Sequence, residues 1–121
     1  MSQISETAAE YFANGEGFNR GSTKVRVSYK FVGLWLENKQ IARRSPYSGQ
    51  LTINLRGCDT QTMRSRLNGV LLAAYRAGLI DHSLHIARQN GTSYLRNTAP
   101  GAIGYKKALP EDGEVSIFPL R

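Results

Sequence analysis

The segment from residue 61 to residue 77 constrains the fold most, because its pattern is long enough for a helix that organises a domain. Its apolar residues recur every three or four positions, which is typical of a helix that buries one face. Asp59 or Thr60 is a suitable N-cap, and Gly78 is a suitable stop. The predicted buried face consists of Met63, Leu67, Val70, Leu71 and Ala74.

Several other segments alternate apolar and polar residues with a period of two, which predicts β-strands. In the clearest of them, Val25, Val27, Tyr29 and Phe31 alternate with Arg26, Ser28 and Lys30. Further strands are predicted at 34–36 and 40–42 around a turn at 37–39, at 51–55, at 84–86 and 94–95 around Asn90-Gly91, and at 115–118. The Asn-Gly pair is the strongest hairpin signal in the chain.

These segments together predict an α+β fold, in which a small antiparallel sheet packs against one main helix. Residues 1–12 are predicted to add a short N-terminal helix, with Ile4, Ala8, Tyr11 and Phe12 on its apolar side. Residues 13–23 are expected to form a loop, and residues 97–114 an irregular segment rich in Gly and Pro. With 121 residues, the chain is the size of a single domain, 1–121.

Charge is distributed unevenly along the chain, whose formal net charge is +7. Residues 20–107 hold 15 basic residues against only Glu37, Asp59 and Asp81, and both ends are acidic. The basic residues are mostly arginine, whose planar fork matches phosphates and base edges better than lysine does. This balance favours a polyanionic partner, although an excess of basic residues can also serve solubility alone.

A strand, Gly57 and the main helix follow one another directly, and this junction is a candidate anion site. Free amides at a helix start favour an anion, and the hydroxyls of Thr60 and Thr62 lie there as well. Guanidinium groups could join them from Arg56, Arg64 and Arg66. The alternative is structural: Thr60 and Thr62 cap the helix, and Asn68 bonds to a neighbouring loop.

Aromatic residues interleaved with basic ones form the second candidate for binding. Stacking of unpaired bases on aromatic rings, with arginines on the phosphates, is the usual physics of single-strand binding. Arg26 and Lys30 are expected on the wet face of their strand, and Trp35 is a possible stacking residue. Tyr47 lies in a polar loop and is a candidate for the same role, and Arg43 and Arg44 just before it are predicted to bind nucleic acid with it. The alternative assigns Trp35, Tyr29 and Phe31 to the sheet core.

Catalytic and metal chemistry find little support in the sequence. His82 and His85 would point to opposite faces of a strand, and a single cysteine, Cys58, excludes an internal disulfide and a cysteine-based zinc site. A Cys58–His nucleophile pair has no visible third residue to orient it. No Gly-rich phosphate loop and no apolar run of membrane-spanning length appear. The sequence therefore predicts a non-enzymatic protein that needs no cofactor and works in a reducing cytoplasm.

Residues 34–68 resemble a group of small uncharacterised bacteriophage proteins with the pattern L-H-G-x-x-I-A followed by G-W-x-T-x-T-T-x-x-R-L/M-N. The matched residues are Leu36, Ile41, Ala42, Gly57, Thr60, Thr62, Arg66, Leu67 and Asn68. The chain differs at Cys58, at Met63 and at Glu37-Asn38, where the pattern has Trp, Thr and His-Gly. The resemblance implies a phage origin, and so a host cytoplasm, together with a strand–turn–helix unit. It carries no established activity.

Two functional hypotheses follow. The first is a small basic protein that binds DNA or RNA and holds phosphates with the arginines around the strand–turn–helix junction. The second is a phage effector that binds and inhibits a host protein or an antiviral defence complex, with its basic surface occupying an acidic or nucleic-acid-facing site.

Overall fold

The computed structural model describes residues 3–45, 50–57, 60–80, 83–97, 106–110 and 112–117. Two helices and nine strands lie in these ranges, in the order α1 (Gln3–Asn14), β1 (Phe18–Arg20), β2 (Thr23–Val27), β3 (Val32–Leu36), β4 (Lys39–Arg44), β5 (Leu51–Ile53), α2 (Gln61–Arg76), β6 (Leu84–Gln89), β7 (Thr92–Asn97), β8 (Lys106–Ala108) and β9 (Val115–Ile117). The protein is therefore α+β, as the sequence predicts.

The strands form two antiparallel sheets, and this is more β-structure than the single small sheet predicted. Six strands make one sheet in the order β1-β2-β3-β4-β5-β9, and three make the other in the order β6-β7-β8. Two of the nine strands fall where the sequence predicts none: β1 lies in the expected loop 13–23, and β8 lies in the expected irregular segment 97–114. Both are only three residues long, which is too short to show a period.

The main helix agrees with its prediction. Thr60 is the N-cap, and its side chain accepts a hydrogen bond from the backbone N–H of Met63 at 3.1 Å. Gly78 follows the helix with φ +74°, the left-handed conformation that suits a glycine stop. The five residues of the predicted apolar face are all buried. Helix α1 packs beside α2 and buries Ala8 and Phe12, whereas the predicted apolar residue Tyr11 is exposed.

Both predicted hairpin turns are confirmed. Glu37 and Asn38 join β3 to β4, and Asn90 and Gly91 join β6 to β7. All four residues have positive φ, which matches the twist of the flanking strands in a two-residue hairpin loop.

The predicted strand 24–31 is wrong beyond Val27. The hydroxyl of Ser28 accepts hydrogen bonds from the backbone N–H groups of Lys30 and Phe31, and the Ser28 N–H donates to the Phe31 carbonyl. These bonds replace a strand with a tight loop. Val27 and Tyr29 are consequently exposed rather than buried.

Buried side chains from both helices and both sheets belong to one hydrophobic cluster. Phe12 of α1 and Leu67 of α2 face Leu34 and Ile53 of the larger sheet, and Ile86 of β6 joins them. The smaller sheet is also fastened to α2 by Asn68, whose amide group donates to the Ile86 carbonyl and accepts from the Ile86 N–H. The structural alternative predicted that Asn68 bonds to a neighbouring loop. Asn68 does make a structural hydrogen bond, but its partner lies on a strand.

Candidate nucleic-acid interface

The larger sheet turns one face to the helices and the other away from them. Val25, Leu34 and Ala42 are register partners and are buried. Because successive side chains of a strand alternate between faces, their neighbours in sequence lie on the opposite side. We call that side the outer face, and its central residues are Lys24, Arg26, Gly33, Trp35, Gln40 and Arg43.

A β-bulge adjusts this alternation in the middle of the sheet. The register between β3 and β4 shifts between Leu34 and Trp35, so that Trp35 pairs with Gln40 rather than Ile41. Ile41 and Ala42 are both buried as a result, while Gln40 and Arg43 remain on the outer face. Strict alternation along the sequence could not have predicted this arrangement.

Trp35 lies across the backbone of Gly33. A Cβ atom built on Gly33 would stand 2.6 Å from ring atoms Cη2 and Cζ3 of Trp35 and 2.9 Å from Nε2 of Gln40. No side chain larger than hydrogen fits there without displacing the ring. The missing side chain of Gly33 therefore lets the half-buried indole lie on the sheet, and a glycine two residues before a tryptophan is the sequence signal for it.

Cationic and aromatic groups surround this indole. The guanidinium carbon of Arg26, which pairs with Gly33 across the strands, is 5.9 Å from the Trp35 ring centroid. The Phe31 ring is 6.4 Å from the indole, at an interplanar angle of 43°. Lys24 is the cross-strand partner of Trp35 itself. The outer face thus combines an aromatic surface with positive charge on one strand pair.

The loop between β2 and β3 extends this surface. The three backbone bonds made around Ser28 hold the loop, and the exposed residues Tyr29 and Lys30 stand at its tip. The Lys30 ammonium is 5.6 Å from the Tyr29 ring centroid, and Tyr29 is 75% exposed. Lys30 therefore lies at the tip of a loop. The sequence-based prediction, which placed it on the wet face of a strand, is wrong at this residue.

The other edge of the outer face carries the pair of Arg43 and Glu114. Their charged atoms are 3.3 Å apart, and the side chains are 41% and 51% exposed. An ion pair this exposed contributes little to folding, typically about 0–1 kcal/mol. Arg43 therefore lies on the candidate surface, although a carboxylate partly offsets its charge.

Arg44, its neighbour in sequence, points to the opposite side and serves the fold. Its Nε donates to the Phe12 carbonyl at 3.1 Å, and its Nη2 donates to the Ala13 carbonyl at 2.9 Å. These carbonyls end helix α1, where the helix dipole favours a cation. Burial lowers the pKa of Arg44 below its ordinary value, because desolvation disfavours the charged form. Arg44 is not part of the outer face.

The three arginines expected around the helix start are not brought together. The Arg56 Nε donates to the Gln40 carbonyl at 2.8 Å, in a turn where Arg56 has φ +55°. Arg66 is buried, and its Nε donates to the Thr23 hydroxyl at 3.1 Å. Desolvation lowers its pKa as well. Arg64 instead lines a cavity of about 530 Å³ between α2 and β6.

The remaining candidates are two threonines at the start of α2 and several residues considered for stacking or catalysis. Thr60 is the helix cap described above, and Thr62 is exposed on the first turn of α2. Tyr47, Cys58 and His82 lie outside the described residues, and His85 is exposed on β6. Within the described ranges, no group of three His, Cys, Asp or Glu residues is arranged to hold a metal ion. The helices described here include none that is long and apolar enough to cross a membrane.

Comparison of the chain with protein-family models, with curated proteins and with solved structures gives no match. The physical arrangement of the outer face is therefore the basis for assigning a function.

Proposed function

We propose that the protein binds single-stranded nucleic acid on the outer face of its six-stranded sheet, with Trp35 as the stacking residue. The observation that carries the proposal is the indole of Trp35, which lies across Gly33 with the Arg26 guanidinium 5.9 Å away. A half-buried tryptophan on the sheet face that is turned away from the helices, beside cations, offers an unpaired base a surface to stack on. Such stacking typically contributes about 1–3 kcal/mol per base.

The charge of this face supports the same ligand. Lys24 and Arg26 lie on β2, Arg43 lies on β4, and Lys30 extends beyond the end of both strands. Adjacent strands are about 4.8 Å apart, so Arg26 and Arg43 flank the indole from strands about 10 Å apart. A strand whose base stacks on Trp35 then has cations on both sides for its phosphates. Duplex DNA would not offer an unpaired base.

On this proposal the protein is a non-enzymatic, phage-type binding protein of the host cytoplasm. It needs no cofactor, because stacking and ion pairing require none. The site differs from the strand–turn–helix junction expected from the sequence. Of all the binding candidates that the sequence offered, it retains Arg26, Lys30, Arg43 and Trp35, and it adds Lys24.

Trp35 also reports on binding, because it is the only tryptophan in the protein. We expect single-stranded oligonucleotides to quench its fluorescence at low salt. Phosphate contacts from all four cations would make log affinity fall with log salt with a slope of roughly −3, since each contact on a single strand contributes about −0.7. The same oligonucleotide in duplex form should bind more weakly and quench less.

Two variants make the test specific. Trp35→Leu should weaken binding roughly 5- to 150-fold, as measured by anisotropy of a labelled oligonucleotide, because stacking contributes about 1–3 kcal/mol. Arg76→Gln, on the exposed last turn of α2, is the matched control for charge and should leave binding unchanged. Binding without any change in Trp35 fluorescence would contradict stacking. Failure to bind any DNA or RNA at low salt would favour the effector hypothesis, which a pull-down from nuclease-treated lysate then tests.

A further inference from the structure

The three-stranded sheet carries a second concentration of positive charge that the Trp35 site does not use. Strands β6, β7 and β8 contain no acidic residue, whereas they hold His85, Arg88, Arg96, Lys106 and Lys107. This sheet shares no hydrogen-bonded strand with the six-stranded sheet. Its charge therefore belongs to a separate surface.

One face of this sheet is buried and the other is open. Ile86 and Leu95 are register partners and are buried in the common core. The residues that alternate with them form what we call the second face: His85, Ala87, Tyr94, Arg96 and Ala108. His85, Arg96 and Ala108 are exposed, and Ala87 and Tyr94 are half-buried.

The register places basic residues side by side across the second face. Arg96 pairs with His85 on β6 and with Lys106 on β8. Arg96 and Lys106 are like charges at directly opposite register positions, and such pairs destabilise a sheet. An anionic ligand at Arg96 would relieve this repulsion.

The same face presents an aromatic ring between small neighbours. Tyr94 pairs with Ala87 on one side and Ala108 on the other, and it precedes Arg96 by two residues on the same face. Tyr94 is half-buried, and a small side chain stands opposite it on each of the two neighbouring strands. Aromatic and cationic residues thus recur here in the combination that marks the outer face.

We propose that the second face is a second contact for single-stranded nucleic acid, with Arg96 on the phosphates and Tyr94 beside a base. The chemical class of ligand rests on the proposed function, but the residues and the sheet are independent of it. One molecule then holds two short strands, or two segments of one longer strand.

The experiment counts binding sites with an oligothymidylate of about eight nucleotides, a length within the 4–16 nucleotides that small single-strand modules cover. Calorimetric titration of the full chain should reach a second equivalent of oligonucleotide. Arg96→Gln should remove that second equivalent while Trp35 fluorescence is still fully quenched. Trp35→Leu should also bind a single equivalent, because it loses the Trp35 site and retains the site that depends on Arg96. Arg76→Gln is again the charge-matched control.

Stability separates a binding role of Arg96 from a structural one. Because Lys106, a like charge, is the register partner of Arg96 on β8, Arg96→Gln should leave the urea midpoint unchanged or raise it slightly. A single equivalent bound by the unmodified protein, or an Arg96→Gln variant that binds like Arg76→Gln, would overturn the second face. Loss of Trp35 quenching with retention of an equivalent that depends on Arg96 would instead overturn the Trp35 site alone.

Discussion

Two arginines of the larger sheet lie at the same distance from an aromatic ring but face opposite sides of the sheet. The guanidinium carbon of Arg44 is 5.9 Å from the Phe12 ring centroid, and that of Arg26 is 5.9 Å from the Trp35 ring centroid. Arg44 faces the helices, and its donors bond to the carbonyls that end α1. Arg26 faces away from the helices and is exposed.

The comparison teaches that residue type and aromatic partner do not decide what an arginine does. On the helix side, unsatisfied carbonyls take up the guanidinium donors, and the charge is used in folding. On the outer face, neither of the two described helices covers the strands, so the guanidinium of Arg26 stays exposed to solvent. The face of the sheet is what separates a structural arginine from a candidate binding one.

The largest expected effect is on the folding side of the comparison. Arg44→Met removes two hydrogen bonds from a charged donor to the end of α1 and should lower the free energy of unfolding by about 3 kcal/mol. Urea unfolding measures this. The neighbouring variant Arg43→Met is the control and should cost less than about 1 kcal/mol, because its ion pair is exposed. Equal losses in the two variants would refute the assignment of faces.

A smaller effect on the free energy of unfolding is expected when Gly33, which lies beneath Trp35, is substituted. Gly33→Ala places a methyl group where the indole lies, so the ring must move, at a cost of about 1–2 kcal/mol in unfolding free energy. The emission spectrum of Trp35 should change, and quenching by single strands should weaken. Gly17→Ala is the matched control, since its methyl group would have only an ordinary contact with the Val25 carbonyl oxygen at 3.7 Å. An unchanged Trp35 spectrum in Gly33→Ala would contradict the described ring position.

The outer arginine itself should matter for binding more than for folding. Arg26→Gln removes one phosphate contact, so the salt slope of binding should become shallower by about 0.7. Its unfolding free energy should fall by no more than about 1 kcal/mol, the contribution of an exposed cation–π pair. Salt titrations of oligonucleotide anisotropy, run beside Arg76→Gln, distinguish these results. A loss of stability comparable to that of Arg44→Met would show that Arg26, like Arg44, stabilises the fold.

The smallest effect is expected from Glu114. Glu114→Gln removes the carboxylate that pairs with Arg43 and should change the unfolding free energy by less than about 0.5 kcal/mol. The affinity of this variant for single strands should nevertheless rise roughly two- to threefold, because the outer face loses a negative charge. Anisotropy at low salt measures this gain. A decrease in affinity would show that Arg43 and Glu114 do not border the binding surface.

Local chemistry was predictable from the sequence wherever a few neighbouring residues decide the conformation. The cap Thr60, the stop at Gly78 and the turn Asn90-Gly91 are all as predicted, because hydrogen bonding and positive φ are local properties. The end of β2 was not predicted, although its cause, Ser28, is local too. A serine that closes a loop and a serine on the wet face of a strand look alike in an alternating pattern.

The candidate site was predictable only in part. The sequence indicated Arg26, Lys30 and Trp35, and it grouped Arg44, Arg56 and Arg66 with the binding residues. Whether such a side chain reaches a ligand depends on contacts far away in the chain. Arg66 bonds to Thr23 and Arg44 to Phe12, and no periodicity over a short window reveals these partners.

The amino-acid sequence by itself determined the α+β class, the main helix with its caps, the two hairpin turns and an excess of arginine over the middle of the chain. Only the tertiary structure decided which arginines bond to the protein and which face away from it, because that choice depends on strand register, on the bulge at Leu34 and Trp35, and on where α1 ends. Pairing between distant segments sets all three. The sequence shows which residues are charged, but the side of the sheet on which each one lies is fixed only when the strands pair and the helices cover one face.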